Sequence, residues 1–130
     1  MGILSHLKPN SGDKVTELKD KIEGLKGANN FGFMRNVYLD IAQQYEKEQN
    51  FPEALQNYIY ITYFDLCADC RGKEPVCYGT AYGIVKTIKS LKKYFSESMI
   101  ENCYRLYVPP KFKKPEKASF RKEIKNIFEE

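Results

Sequence analysis

The chain has 130 residues, 42% hydrophobic and 29% charged, with ten Tyr, eight Phe and no Trp. That length suits a single domain, residues 1–130, with enough apolar material for a core of its own. The net charge of +4 falls short of the clustered Lys/Arg footprint of a dedicated nucleic-acid binder. No apolar run approaches the roughly 18 residues that span a bilayer.

Residues 1–12 form an N-terminal segment in which Ile3, Leu4 and Leu7 are cut off by Pro9-Asn10-Ser11-Gly12. It has neither a basic n-region nor a long apolar stretch, so it is not read as a secretory signal, and it misses the myristoylation pattern. A cytoplasmic, reducing compartment is therefore expected, and the four cysteines are not read as a disulfide framework.

A first helix is predicted from Asp13, as N-cap, to the breaker Gly27-Ala28-Asn29-Asn30. Val15, Leu18, Ile22 and Leu25 give it one narrow apolar stripe. The second runs from Phe31 to Glu48 with a wider face of Met34, Val37, Tyr38, Ile41, Ala42 and Tyr45. Asn50-Phe51-Pro52 makes a turn, with Pro52 at the first helical position, where a missing N–H costs nothing. A third helix then carries Ala54, Leu55, Tyr58, Ile59, Ile61 and Tyr63 to about Leu66. The β-rich run 58–64 is kept helical because it continues directly from that capped start.

Residues 67–78 read as an inserted loop holding Cys67, Cys70 and Cys77. A fourth helix is expected from Tyr78 to Phe95 and a fifth from Met99 to Val108, where Pro109-Pro110 stops it. A basic linker, residues 111–118, leads to a last helix with Phe120, Ile124, Ile127 and Phe128 on one face. That face is expected to cap the same chain, since left open it would invite aggregation.

Helices two and three overlay on helices four and five with an offset of 49 residues. Tyr45 meets Tyr94, Ala54 meets Cys103, Tyr58 meets Tyr107, Leu39 meets Ile88, Leu55 meets Tyr104 and Ile59 meets Val108. The small residues let two helices approach and the aromatics fill the flanks. Ala42, Tyr45, Ala54 and Tyr58 follow a small–aromatic–small–aromatic order, and over residues 35–63 the chain resembles the tetratricopeptide repeat family. Tyr38 stands where that family usually has Trp, and the helix-ending Pro is absent. A family unit is about 34 residues long, so the larger offset corresponds to the inserted cysteine loop.

The resemblance implies an all-α fold of about six helices. Two antiparallel repeat-like hairpins would be closed by N- and C-terminal capping helices. It also implies a protein or peptide partner, lying along the face formed by the first helix of each pair. Here that face carries Asn36, Leu39, Gln43, Glu46 and Lys47, with Lys92 from the second pair. Leu39 sits where members that grip a C-terminal carboxylate have Lys, so that recognition mode is not expected.

Chemistry is sparser. Cys67-x-x-Cys70 followed by Arg71-Gly72-Lys73 has the form of a zinc knuckle, with Cys77 within reach and Cys103 as the formal fourth ligand. The overlay instead makes Cys103 a small core residue. Three or four unliganded cysteines and no cofactor are the favoured reading; a structural zinc is the alternative. A thiol redox role would need the Cys pair at a helix N-terminus, but here it trails a helix beside Asp65 and Asp69. The single histidine, His6, leaves acid–base and nucleophilic catalysis without machinery. The expectation is a non-enzymatic interaction module. The alternatives are a zinc-stabilised helical protein touching nucleic acid through a basic surface, and a thiol-based redox protein.

Overall fold

A computed structural model describes residues 11–28, 30–67 and 81–129, with backbone alone at 11–13, 81 and 82. Six α-helices run through these residues, with no strand among them: α1 (Ser11–Gly27), α2 (Phe31–Lys47), α3 (Phe51–Cys67), α4 (Ala81–Ser90), α5 (Ser98–Cys103) and α6 (Lys117–Glu129). A 3-10 turn, Lys92–Tyr94, separates α4 from α5. None of the described helices is long and apolar enough to cross a membrane.

The first three helices pack antiparallel, with α2 in the middle. Their burial follows from that order. α1 packs mainly on α2 and buries one stripe, Val15, Leu18 and Ile22. α2 packs on both α1 and α3 and buries a broad arc that includes Met34, Val37, Tyr38, Ile41 and Ala42. α3 is covered by α2 on one side and by α4, α5 and the 3-10 turn on the other, so it is buried almost all round. This is why residues 58–64 stay helical despite their β-propensity: each branched or aromatic side chain has a packing partner, which outweighs local preference.

The helix ends explain small shifts from the sequence expectation. α1 begins at Ser11, so Asp13 lies inside it. Asn30 caps α2 by accepting the Phe33 N–H on its side-chain oxygen at 3.4 Å. At the other end the Asn50 N–H reaches the Tyr45 carbonyl and the Gln49 N–H reaches that of Glu46, the two bonds of a Schellman motif. That motif needs a left-handed residue, and Gln49 supplies it at φ 61°. α3 starts at Phe51, so Pro52 is its second residue, still in the first turn where no N–H partner is required.

In the second half the helices stop early. α4 ends at Ser90, short of the expected Phe95. There Leu91 shares its N–H between the carbonyls of Thr87 and Ile88, while the Ser90 hydroxyl also takes the Thr87 carbonyl. Such competition tightens a last turn into 3-10 geometry. α5 ends at Cys103 and not at Val108; the N–H groups of Tyr104, Arg105 and Leu106 all bond three residues back. Tyr107 and Val108 therefore lie past the helix, and their overlay on Tyr58 and Ile59 does not fall on matching elements. Cys103 and Ala54, by contrast, are both wholly buried.

The linker is also firmly held. Phe112 stacks on Phe31 with ring centroids 4.5 Å apart. The Tyr104 hydroxyl donates to the Pro115 carbonyl, and Lys114 Nζ donates to the Tyr104 carbonyl at 2.9 Å. Its last two residues, Lys117 and Ala118, already belong to α6. α6 then buries Phe120, Ile124 and Ile127 in the common core, with Phe128 edge-on to Phe95. Ion pairs Lys117–Glu101 and Arg121–Glu97 flank it. The C-terminal helix caps its own chain.

Candidate functional site

The expected peptide-facing residues divide between two places. Asn36, Gln43 and Lys47 are exposed on the stripe of α2 that points away from its neighbours, with Leu39 half-buried between them. Glu46 is drawn inward, where its Oε1 accepts the Tyr58 hydroxyl at 2.5 Å and ties α2 to α3. Lys92 belongs to the 3-10 turn, which packs on α3.

The expected metal ligands are only partly in view. Cys70 and Cys77 lie outside the described residues. Cys67 ends α3 and Cys103 ends α5; both are free and buried. Burial pushes the Cys67 thiol up to about 11, though the neighbouring Tyr63 hydroxyl and Lys114 favour its thiolate. Cys103 is raised further by burial and by Cys67. These two thiols are poor nucleophiles, since reactivity requires a populated thiolate. Tyr63 is enclosed with them, its hydroxyl without a partner in hydrogen-bond geometry. Among the described residues no group of three or more His, Cys, Asp or Glu is placed to hold a metal ion.

One buried ion pair escaped the sequence reading. Arg35, 2% exposed, grips Asp65 through Nε–Oδ1 at 2.5 Å and Nη2–Oδ2 at 2.9 Å. Antiparallel packing sets the first turns of α2 against the last turn of α3, where a carboxylate faces the negative helix end and gains from a cation. Burial nevertheless holds the Asp65 carboxyl above the usual carboxylate range, with Arg35 pulling it back down. Arg35 Nη1 is buried without a partner, while Asp65 is 20% exposed, so the pair ties α2 to α3 at the edge of the core. A second polar chain docks α5 on α3. Gln56 Nε2 donates to the Met99 carbonyl, Asn102 Nδ2 to Gln56 Oε1, and Arg105 Nη1 to Asn102 Oδ1.

A concave feature among the described residues lies on the other side of α2 from the expected stripe. Lys19, Ile22 and Glu23 of α1, Tyr38 of α2, Glu53, Asn57 and Tyr60 of α3, and Leu106 beyond α5 line an open cleft of about 250 Å³. It exists because α1 and α3 both lean on α2 and leave a furrow above it. Tyr38 and Tyr60 meet edge-to-face across it, with centroids 5.4 Å apart. Both phenols are raised, first by burial. Tyr60 and Glu23 add to the effect at Tyr38. Tyr60 is pushed up to about 12, with Cys103 and Glu53 adding to burial and Arg105 opposing.

Asn57 uses one of its two side-chain N–H groups on the Glu53 carbonyl at 2.9 Å, which leaves the other N–H and the amide oxygen. Glu23 pairs with Lys26 at 2.8 Å. The Glu53 carboxylate has no ion-pair partner among the described residues. The i, i+4, i+7 spacing of Glu53, Asn57 and Tyr60 is a sequence signal for this face. Tyr38 gave none, because it read as plain core.

Comparison with protein-family models, with curated proteins and with solved structures gives no match. What the molecule does must therefore be argued from its own geometry.

Proposed function

We propose that this chain is a non-enzymatic protein-interaction module whose stacked helices, of tetratricopeptide-like character, hold a partner's peptide or helix. The observation that carries this reading is the cleft above α2. Three successive helices present it, a Tyr pair lines it, and the Glu53 carboxylate on its wall has no ion-pair partner among the described residues. Interaction surfaces favour such Tyr residues, which combine a large apolar ring with a polar tip. The remaining polar investment, in Arg35–Asp65 and the Gln56 chain, holds helices in place.

Capture from a native extract on the immobilised full chain tests the reading, with Tyr60→Ala and Glu53→Arg as comparisons and circular dichroism as the folding check. A defined protein should be retained by the wild type and lost with the cleft variants. Equal retention by all three, or none by any, would overturn the proposal.

A second reading has one observation behind it. Residues 81–130 hold twelve Lys and Arg against six Glu, whereas residues 11–67 hold six against nine Asp and Glu. The basic half supports contact with nucleic-acid phosphates, for which affinity should fall steeply with salt. Its zinc-bearing form is tested by the metal content of protein purified without added zinc.

A further inference from the structure

We infer that the cleft above α2 receives a single basic side chain, lysine or arginine, from a partner's peptide. This rests on the interaction-module reading and names the chemistry of its ligand.

Size is the first argument. A volume of about 250 Å³ lies below the roughly 300–1,000 Å³ typical of small-molecule and cofactor sites. It suits one long side chain better than a nucleotide or prosthetic group.

Hydrogen-bonding capacity is the second. The Asn57 amide has used one of its two N–H donors on the Glu53 carbonyl, so one N–H and the amide oxygen remain for a ligand. The carboxylates of Glu23 and Glu53 can only accept. A ligand that satisfies these two carboxylates must bring donors, and ammonium and guanidinium groups are donors only.

The third is electrostatic. Tyr38 and Tyr60 offer ring surface to a cation, an attraction that strengthens as water is excluded. Glu53 is unpaired among the described residues, and residues 11–67 carry an excess of acidic groups. The phenols register this field, since Glu23 and Glu53 both disfavour their ionisation. Lys19 is the one cation on the wall. It is exposed, opposes a basic ligand, and provides a variant of opposite expected sign.

The test uses the full chain and short Gly/Ser peptides with one central lysine or arginine. The same peptides with norleucine or citrulline at that position are the controls. Binding is followed by amide chemical shifts. The cationic peptides should shift Tyr38, Glu53, Asn57 and Tyr60, and the neutral ones should not. Glu53→Gln and Tyr60→Leu should each weaken binding by about threefold to tenfold. Lys19→Ala should tighten it by about twofold. Equal binding of norleucine or citrulline peptides, shifts confined to the Asn36–Gln43–Lys47 stripe, or no binding of any peptide would each overturn the inference. If cleft variants abolish capture of a native partner while cationic peptides fail to bind, the module reading stands and the charge preference falls.

Discussion

α1, α2 and α3 are each 17 residues long, whereas α4, α5 and α6 have 10, 6 and 13 residues. In the first group, stripes of Val, Leu, Ile and Met face one another along several turns, and one ion pair and one Tyr–Glu bond fasten α2 to α3. In the second, no helix is long enough to be stable by itself, because nucleation of a short helix is not repaid by its few internal bonds. The chain there depends on contacts between elements. Tyr104 is the hub: it touches Tyr63 and Phe120, binds the Pro115 carbonyl, and lies under Lys114 and Lys117. Long helices can be specified by periodicity. Short ones are specified by what they dock against.

The sharpest way to probe the first group is Asp65→Ala. It strands the Arg35 guanidinium in the core and should cost about 3–5 kcal/mol, read by urea unfolding. Replacing both partners, Arg35→Met with Asp65→Leu, should restore most of that. A mild effect of the single change would mean that the pair contributes little to the α2–α3 contact.

Phe120→Ala probes the second group. Truncating a fully buried Phe should cost about 3 kcal/mol. If the comparison holds, hydrogen exchange will accelerate in α4–α6 before α2 and α3 are affected. Uniform acceleration would merge the two groups into one cooperative unit.

Alkaline pH acts where they meet. Cys67 rises from 9.0 to about 11, and Tyr60 and Tyr104 rise from 10.0 to about 12, with burial as the leading cause in each. These groups keep their protons longer folded than unfolded. Their contribution is complete below pH 9 and is lost as pH climbs through about 11 to 12. Circular dichroism with phenolate absorbance should show unfolding accompanying ionisation; phenols that ionise near pH 10 with the helices intact would contradict this.

Gln49→Gly should have the smallest effect, and a favourable one. It relieves a side chain held at φ 61° and should add about 0.5–1 kcal/mol by thermal unfolding. No gain would show that the Gln49 side chain offsets its backbone cost.

The helical faces of α1 to α3 were legible because periodicity is local. Met34, Val37, Tyr38 and Ile41 declare a buried arc whatever covers it, and Asn50-Phe51-Pro52 declares a turn. The amphipathic face of Phe120, Ile124 and Ile127 likewise declared that something must cover it. What covers each face is another matter, since it joins residues far apart in the chain. Phe112 reaching Phe31, Arg35 reaching Asp65, the early end of α5 at Cys103, and the cleft built from α1, α2, α3 and Leu106 have no local signature.

Sequence alone thus determined the all-α class, the six helices and which side of each long helix is apolar. The three-dimensional packing decided which polar residues are consumed in holding the helices and which are left facing the cleft. The physical reason is range. Backbone hydrogen bonding and side-chain periodicity act within a few residues, whereas desolvation and charge pairing depend on whichever distant element comes to rest alongside.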